Sequence, residues 1–136
     1  VSALFVDTFF WVAMTDVRDA SHEAAILFME EHEGASLITT DEVLVEYLTY
    51  FAAARTDLRR EAAAVAANLL ENPAVRVFPQ SRESFLAGHS LYVERPDKRY
   101  SLVDCISMQT MRAEGISDVL TNDRHFEQEG FRALFR

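Results

Sequence analysis

The chain has 136 residues, enough for one domain and too few for two ordinary ones, and its 49% apolar content excludes a disordered protein. With 13 basic and 22 acidic residues the net charge is −9, which globally repels nucleic acid and suits a basic partner chain. The lone cysteine, Cys105, excludes an intramolecular disulfide and suits a reducing cytosol. No apolar stretch approaches the roughly 20 residues needed to cross a bilayer.

The opening Val1-Ser2-Ala3-Leu4-Phe5-Val6 has no basic leader and no small-residue cleavage pattern, so it reads as a strand rather than a signal peptide. Its apolar run ends at Asp7, and Thr8 to Thr15 reads as a first helix. A second helix follows from Ser21 to His32, closed by Gly34. Ser36 to Thr40 is the second strand. From Asp41 a helix carries Val43, Leu44, Tyr47, Leu48 and Phe51 at the spacing of one buried face. An alanine-rich helix, Leu58 to Glu71, stops at Asn72-Pro73, and Val75 to Phe78 alternates as a strand.

A helix opened by Ser81 or Ser84 runs to about Glu94, where Arg95-Pro96-Asp97 breaks it. Ser101 caps the next helix, closed at Gly115. Asp118 to Thr121 is a strand, Asp123 opens a short helical turn, and Phe131 to Phe135 is a last strand. Strands alternating with helices predict an α/β fold with a mainly parallel sheet covered on both faces, in one domain over residues 1–136.

The acids fall at particular places in this frame. Asp7 directly follows the first strand, Asp41 follows the second, and Glu46 lies one to two turns into the next helix. Asp104 is on the first turn of its helix, and Asp123 comes just after the Asp118 to Thr121 strand. Ligands of open α/β sheets bind beyond the carboxyl ends of the strands, so acids delivered there from distant segments predict one acidic pocket. Gathered carboxylates need a positive partner, and hard oxygen donors suit Mg²⁺ or Mn²⁺. Such a site suits phosphoryl chemistry without a serine, cysteine or histidine nucleophile.

Each acid also has a structural reading. Asp7 and Asp123 can cap the helices that follow them, and Ser101-Leu102-Val103-Asp104 has the form of a capping box. Glu46 can lie on the exposed stripe of its helix. Asp41 is either an accessory acid or a cap, the cap being favoured.

In these residues the chain resembles the PIN-domain family, and within it the VapC-type toxins of bacterial toxin–antitoxin pairs. The matching segments are Phe5 to Trp11, Thr39 to Glu46, Ser101 to Cys105 and Thr121 to Phe126, in order across nearly the whole chain. The resemblance implies a three-layer α/β/α fold and a Mg²⁺- or Mn²⁺-dependent endoribonuclease. Its metal-holding acids would be Asp7, Glu46, Asp104 and Asp123. Thr8, Ser101 and Thr121 would orient ligands or water beside them. It further implies a cytoplasmic homodimer with no membrane attachment, an RNA substrate, and a cognate antitoxin able to place an arginine in the acidic site.

Cys105 stands where such proteins usually have alanine, and His125 is expected to pack the strand against the helix. The other reading is a catalytically silent PIN-like module that binds RNA or protein, which the presence of all four acids disfavours. Three groups of cations could meet phosphates, namely Arg55, Arg59 and Arg60, then Arg95, Lys98 and Arg99, then Arg132 and Arg136. Spacing does not tell which group faces the acids.

Overall fold

The computed structural model describes residues 3–136; Val1 and Ser2, the start of the expected first strand, lie outside the described residues. In chain order the elements are β1 (Leu4–Val6), α1 (Thr8–Thr15), α2 (His22–Glu31), β2 (Leu37–Thr40), α3 (Asp41–Tyr50) and α4 (Thr56–Glu71). They continue with β3 (Val75–Phe78), α5 (Arg82–Glu94), α6 (Leu102–Glu114), β4 (Asp118–Leu120), α7 (Arg124–Gln128) and β5 (Arg132–Ala133).

The five strands form one sheet in the order β3-β2-β1-β4-β5, and every neighbouring pair is parallel. The chain therefore builds outward from β1 through β2 to β3, then returns through α5 and α6 to start again at β4 beside β1. Parallel crossovers are right-handed, so this reversal sends the returning helices to the opposite face. Accordingly α1 packs on α2, α3 and α4, while α5 packs on α6 and α6 on α7. This is the three-layer α/β/α arrangement, and β1 and β4 flank its switch point.

Burial on both faces explains the short apolar strands. Phe5, Val6, Val119 and Leu120 are fully enclosed, joined in the core by Phe10, Tyr47, Met108, Met111 and Phe126. Cys105 is buried with them, as a small packing residue. No helix among the described residues is long and apolar enough to cross a membrane.

Three local expectations need correction. The last strand is only two residues long, because Phe135 leaves the sheet to pack against Phe9, Phe10 and Phe28 at ring separations of 5.5–5.7 Å. Leu48 is exposed rather than part of the buried face of α3, as is Val45 before Glu46. Asp41 is not the cap of α3, the role favoured for it. Thr40 caps that helix through the Val43 amide, and Asp41 Oδ2 accepts from the Gln80 amide at 2.9 Å, tying α3 to the segment after β3.

The α5–α6 contact depends on a residue without a side chain. A Cβ on Gly88 would press on the Ile106 side chain and lie 3.1 Å from its backbone nitrogen. Because α6 carries Asp104 toward the sheet edge, this contact also sets where that acid sits. Gly88→Ala is expected to destabilise the protein by about 1–3 kcal/mol, the usual effect of overpacking. Urea unfolding followed by circular dichroism would measure it, and an unchanged midpoint would contradict the packing argument.

Candidate active site

Asp7 follows β1 and occupies the N-cap position of α1 with extended backbone (φ −85°, ψ 165°), yet its side chain makes no capping bond. The carboxylate turns toward β4 instead, where Oδ2 accepts from the Thr121 hydroxyl at 2.8 Å. Only 7% of the residue is exposed. Burial pushes its carboxyl up to about 7. The Thr121 hydroxyl and Thr8 amide oppose that rise, and the nearby charges of Asp104 and Glu46 add to it.

The remaining acids reach this point from three other elements. Glu46, one and a half turns into α3, accepts from the Thr8 hydroxyl through Oε1. Asp104 sits in a capping box at the start of α6: Oδ2 accepts from the Ser101 amide and Ser101 Oγ accepts from the Asp104 amide, both at 3.0 Å. Burial raises the Asp104 carboxyl, as does the charge of Asp123; the Ser101 amide and His125 draw it down. Asp123 caps α7, with Oδ1 accepting from the His125 amide at 2.9 Å. Its own amide donates to Thr121 Oγ1 at 3.2 Å. One hydroxyl thus links Asp7 to the segment bearing Asp123.

The structural readings of Asp104 and Asp123 as caps are therefore correct, and they leave each acid a spare oxygen. In Glu46, Asp104 and Asp123 the second carboxylate oxygen has no hydrogen-bond partner among the described residues. The tightest convergence is Asp104, Asp123 and His125, whose potential ligand atoms all lie within 4.8 Å of one another. Asp7 feels the charges of Asp104 and Glu46, but neither Asp7 nor Glu46 joins this group at that distance.

His125 corrects the expectation of a packing residue. Its Nδ1 lies 3.3 Å from Asp104 Oδ2 and 3.4 Å from Asp123 Oδ1, while its ring leans on Tyr100. The available signal was its place two residues after a capping aspartate, where the turn folds the ring back over the cap.

Glu129 was also missed. Its side chain is 4% exposed and binds Arg95, Arg112 and the Tyr100 hydroxyl, which pins the end of α7 to α5 and α6. Burial alone would raise this carboxyl, but the two guanidinium groups and the phenol outweigh it and hold it at about 2.

Hard oxygen donors, unpartnered and crowded enough to repel one another, fit a divalent cation such as Mg²⁺ or Mn²⁺. No cysteine joins them. The carboxylates suit Mg²⁺ or Mn²⁺, whereas the imidazole at the edge is a donor of the kind later transition metals prefer.

A parallel sheet in this strand order, with acids meeting at its switch point, defines a PIN domain, and residues 4–131 match that family. The chain belongs to the PIN-domain family. It is 31% identical over 128 residues to the 23S rRNA-specific endonuclease VapC20 of Mycobacterium tuberculosis, covering 94% of this chain and 95% of that one. The crystal structure of VapC20, described as a sarcin–ricin loop cleaving toxin, superposes with a TM-score of 0.81 at 30% identity, over 94% of this chain and 95% of that one. VapBC2 from Rickettsia felis, solved bound to a DNA fragment from its promoter, shares the fold with a TM-score of 0.66 at 13% identity, over 96% of each chain.

The raised Asp7 carboxyl has a consequence for stability. Its folded value of about 7 lies above the ordinary 3.8, so the folded protein loses stability as pH rises between these values. Asn is nearly isosteric with the protonated acid and avoids this loss. In EDTA, Asp7→Asn is expected to be the more stable protein at pH 8, by on the order of 2–4 kcal/mol, with the advantage vanishing near pH 4. Added Mg²⁺ should narrow the gap. Thermal melts of both proteins across this range would check it, and equal stability at pH 8 would contradict the burial argument.

Proposed function

We propose that this chain is a divalent-metal-dependent endoribonuclease acting as the toxin of a toxin–antitoxin pair, with Asp7, Glu46, Asp104 and Asp123 as the acids that hold the metal. The observation carrying this reading is the convergence of those acids, each with one oxygen already fixed, at the switch point of a PIN fold. A bound Mg²⁺ or Mn²⁺ would neutralise the acids and supply an activated water for phosphodiester hydrolysis.

The chain's own groups have distinct tasks. Thr121 and Thr8 hold the Asp7 and Glu46 carboxylates in one orientation. Ser101 does the same for Asp104 through its amide, and His125 keeps Asp104 and Asp123 from drifting apart. Preformed positions of this kind spare the site reorganisation during reaction.

Likeness to VapC20 over nearly the full length supports a large-subunit ribosomal RNA stem-loop as the first substrate to try. In this reading residues 1–136 form one PIN domain that acts in the cytoplasm as a homodimer. A basic segment of a cognate antitoxin silences it, suited by the net charge of −9 and by an acidic site open to an arginine.

The test is incubation of purified protein, free of antitoxin, with 23S rRNA in Mg²⁺ or Mn²⁺ and in EDTA. Cutting at defined positions is expected with metal, with none in EDTA and at least a hundredfold less with Asp104→Asn. A folded, metal-loaded protein that leaves the RNA intact would favour the silent binding module.

A further inference from the structure

Six of the 13 basic side chains of this acidic chain are already neutralised. Arg55, Arg76, Arg95, Arg112, Arg132 and Arg136 each pair with a carboxylate at 2.5–3.2 Å. Arg95, a natural choice for phosphate contact from its place in the sequence, is held by buried Glu129 and is not available.

The other six arginines have no carboxylate partner among the described residues, and two of them, Arg99 and Arg124, line one cavity. Neither makes an ion pair or a side-chain hydrogen bond among the described residues. Both are exposed, and they come together across a cavity of about 460 Å³ between the α5–α6 segment and α7. Its walls are Asp97, Lys98, Arg99, Arg124, His125 and Gln128. Lys98 is only loosely held by exposed Asp97, at 3.8 Å. Three cations against one acid make this cavity locally positive in a chain of net charge −9. It shares His125 with the acidic cluster, so the cationic pocket directly adjoins the acids.

The backbone supports the same assignment. Among the described residues four positions have left-handed φ, and three of them are glycines, Gly34, Gly115 and Gly130. The fourth is Arg99, at φ 65°. Glycine would sit there without strain, whereas an arginine keeps its guanidinium at the mouth of the cavity at a conformational cost.

We infer that Lys98, Arg99 and Arg124 form a subsite for a backbone phosphate of the RNA next to the one held at the acids. The inference rests on the ribonuclease reading above and adds how the substrate is gripped. Guanidinium groups suit phosphate oxygens by geometry as well as charge. The pocket binds phosphate rather than a base edge, so it positions the strand without reading its sequence.

The experiment measures binding of a fluorescein-labelled 23S rRNA stem-loop in Mg²⁺ by anisotropy at several salt concentrations, in the Asp7→Asn background to prevent cutting. Arg99→Gly, Arg124→Ala and their combination are compared, with Arg60→Ala on exposed α4 as a charge-matched control. Each pocket substitution should flatten the dependence of log Kd on log salt by about 0.7, and the pair by about 1.4, with at least tenfold weaker binding at low salt. Arg99→Gly should at the same time raise Tm, which separates lost binding from lost folding. Unchanged slopes, or an equal effect from Arg60→Ala, would overturn the subsite while leaving the nuclease reading intact if the parent chain still cuts. A parent chain that neither binds nor cuts the RNA would overturn the ribonuclease reading, and the subsite with it.

Discussion

The constraint on which the site depends is a carboxylate held almost out of water between two strands. Asp7 lies between the end of β1 and the Thr121 hydroxyl after β4, close enough to Asp104 and Glu46 for their charges to raise it further. A buried charge among like charges is unfavourable, and a protein retains such an arrangement where the strain serves a purpose. The fold supplies the means. The strand order reverses between β1 and β4, and four segments deliver acids to this switch point, where open α/β sheets bind their ligands. The hydroxyls and amides that meet these acids occupy one oxygen each and fix their direction.

Much of this frame was legible in the sequence because its signals are local. Short apolar or alternating runs bounded by turn residues marked the strands, the last of them too long, and serine, threonine or aspartate before a periodic run marked most helix starts. The positions of Asp7, Glu46, Asp104 and Asp123 relative to strand ends were readable for the same reason. Thr8 and Thr121 were readable from their neighbours in the chain, and the structure sets them against Glu46 and Asp7.

What escaped was decided by contacts distant in sequence. Asp41 has the form of a cap, but Thr40 takes that place and Asp41 bonds Gln80, 39 residues away. Leu48 fits the periodicity of α3 yet points outward, because periodicity does not tell how wide a buried face is. His125 and Glu129 lie close together in the chain, and their partners come from the α5–α6 region. The same holds for charge. Composition gives −9, but only the pairing pattern tells neutralised arginines from unpaired ones, and only the cavity beside His125 sets Arg99 and Arg124 next to the acids.

The central claim is that these acids are arranged to hold a divalent cation. Titration of the metal-free protein with Mn²⁺, followed by calorimetry at neutral pH and repeated on Asp7→Asn and Asp104→Asn, tests it most directly. Saturable binding by the parent chain and at least tenfold weaker binding by either variant are expected. A folded parent chain that takes up no Mn²⁺, or variants that bind it as well as the parent, would contradict it.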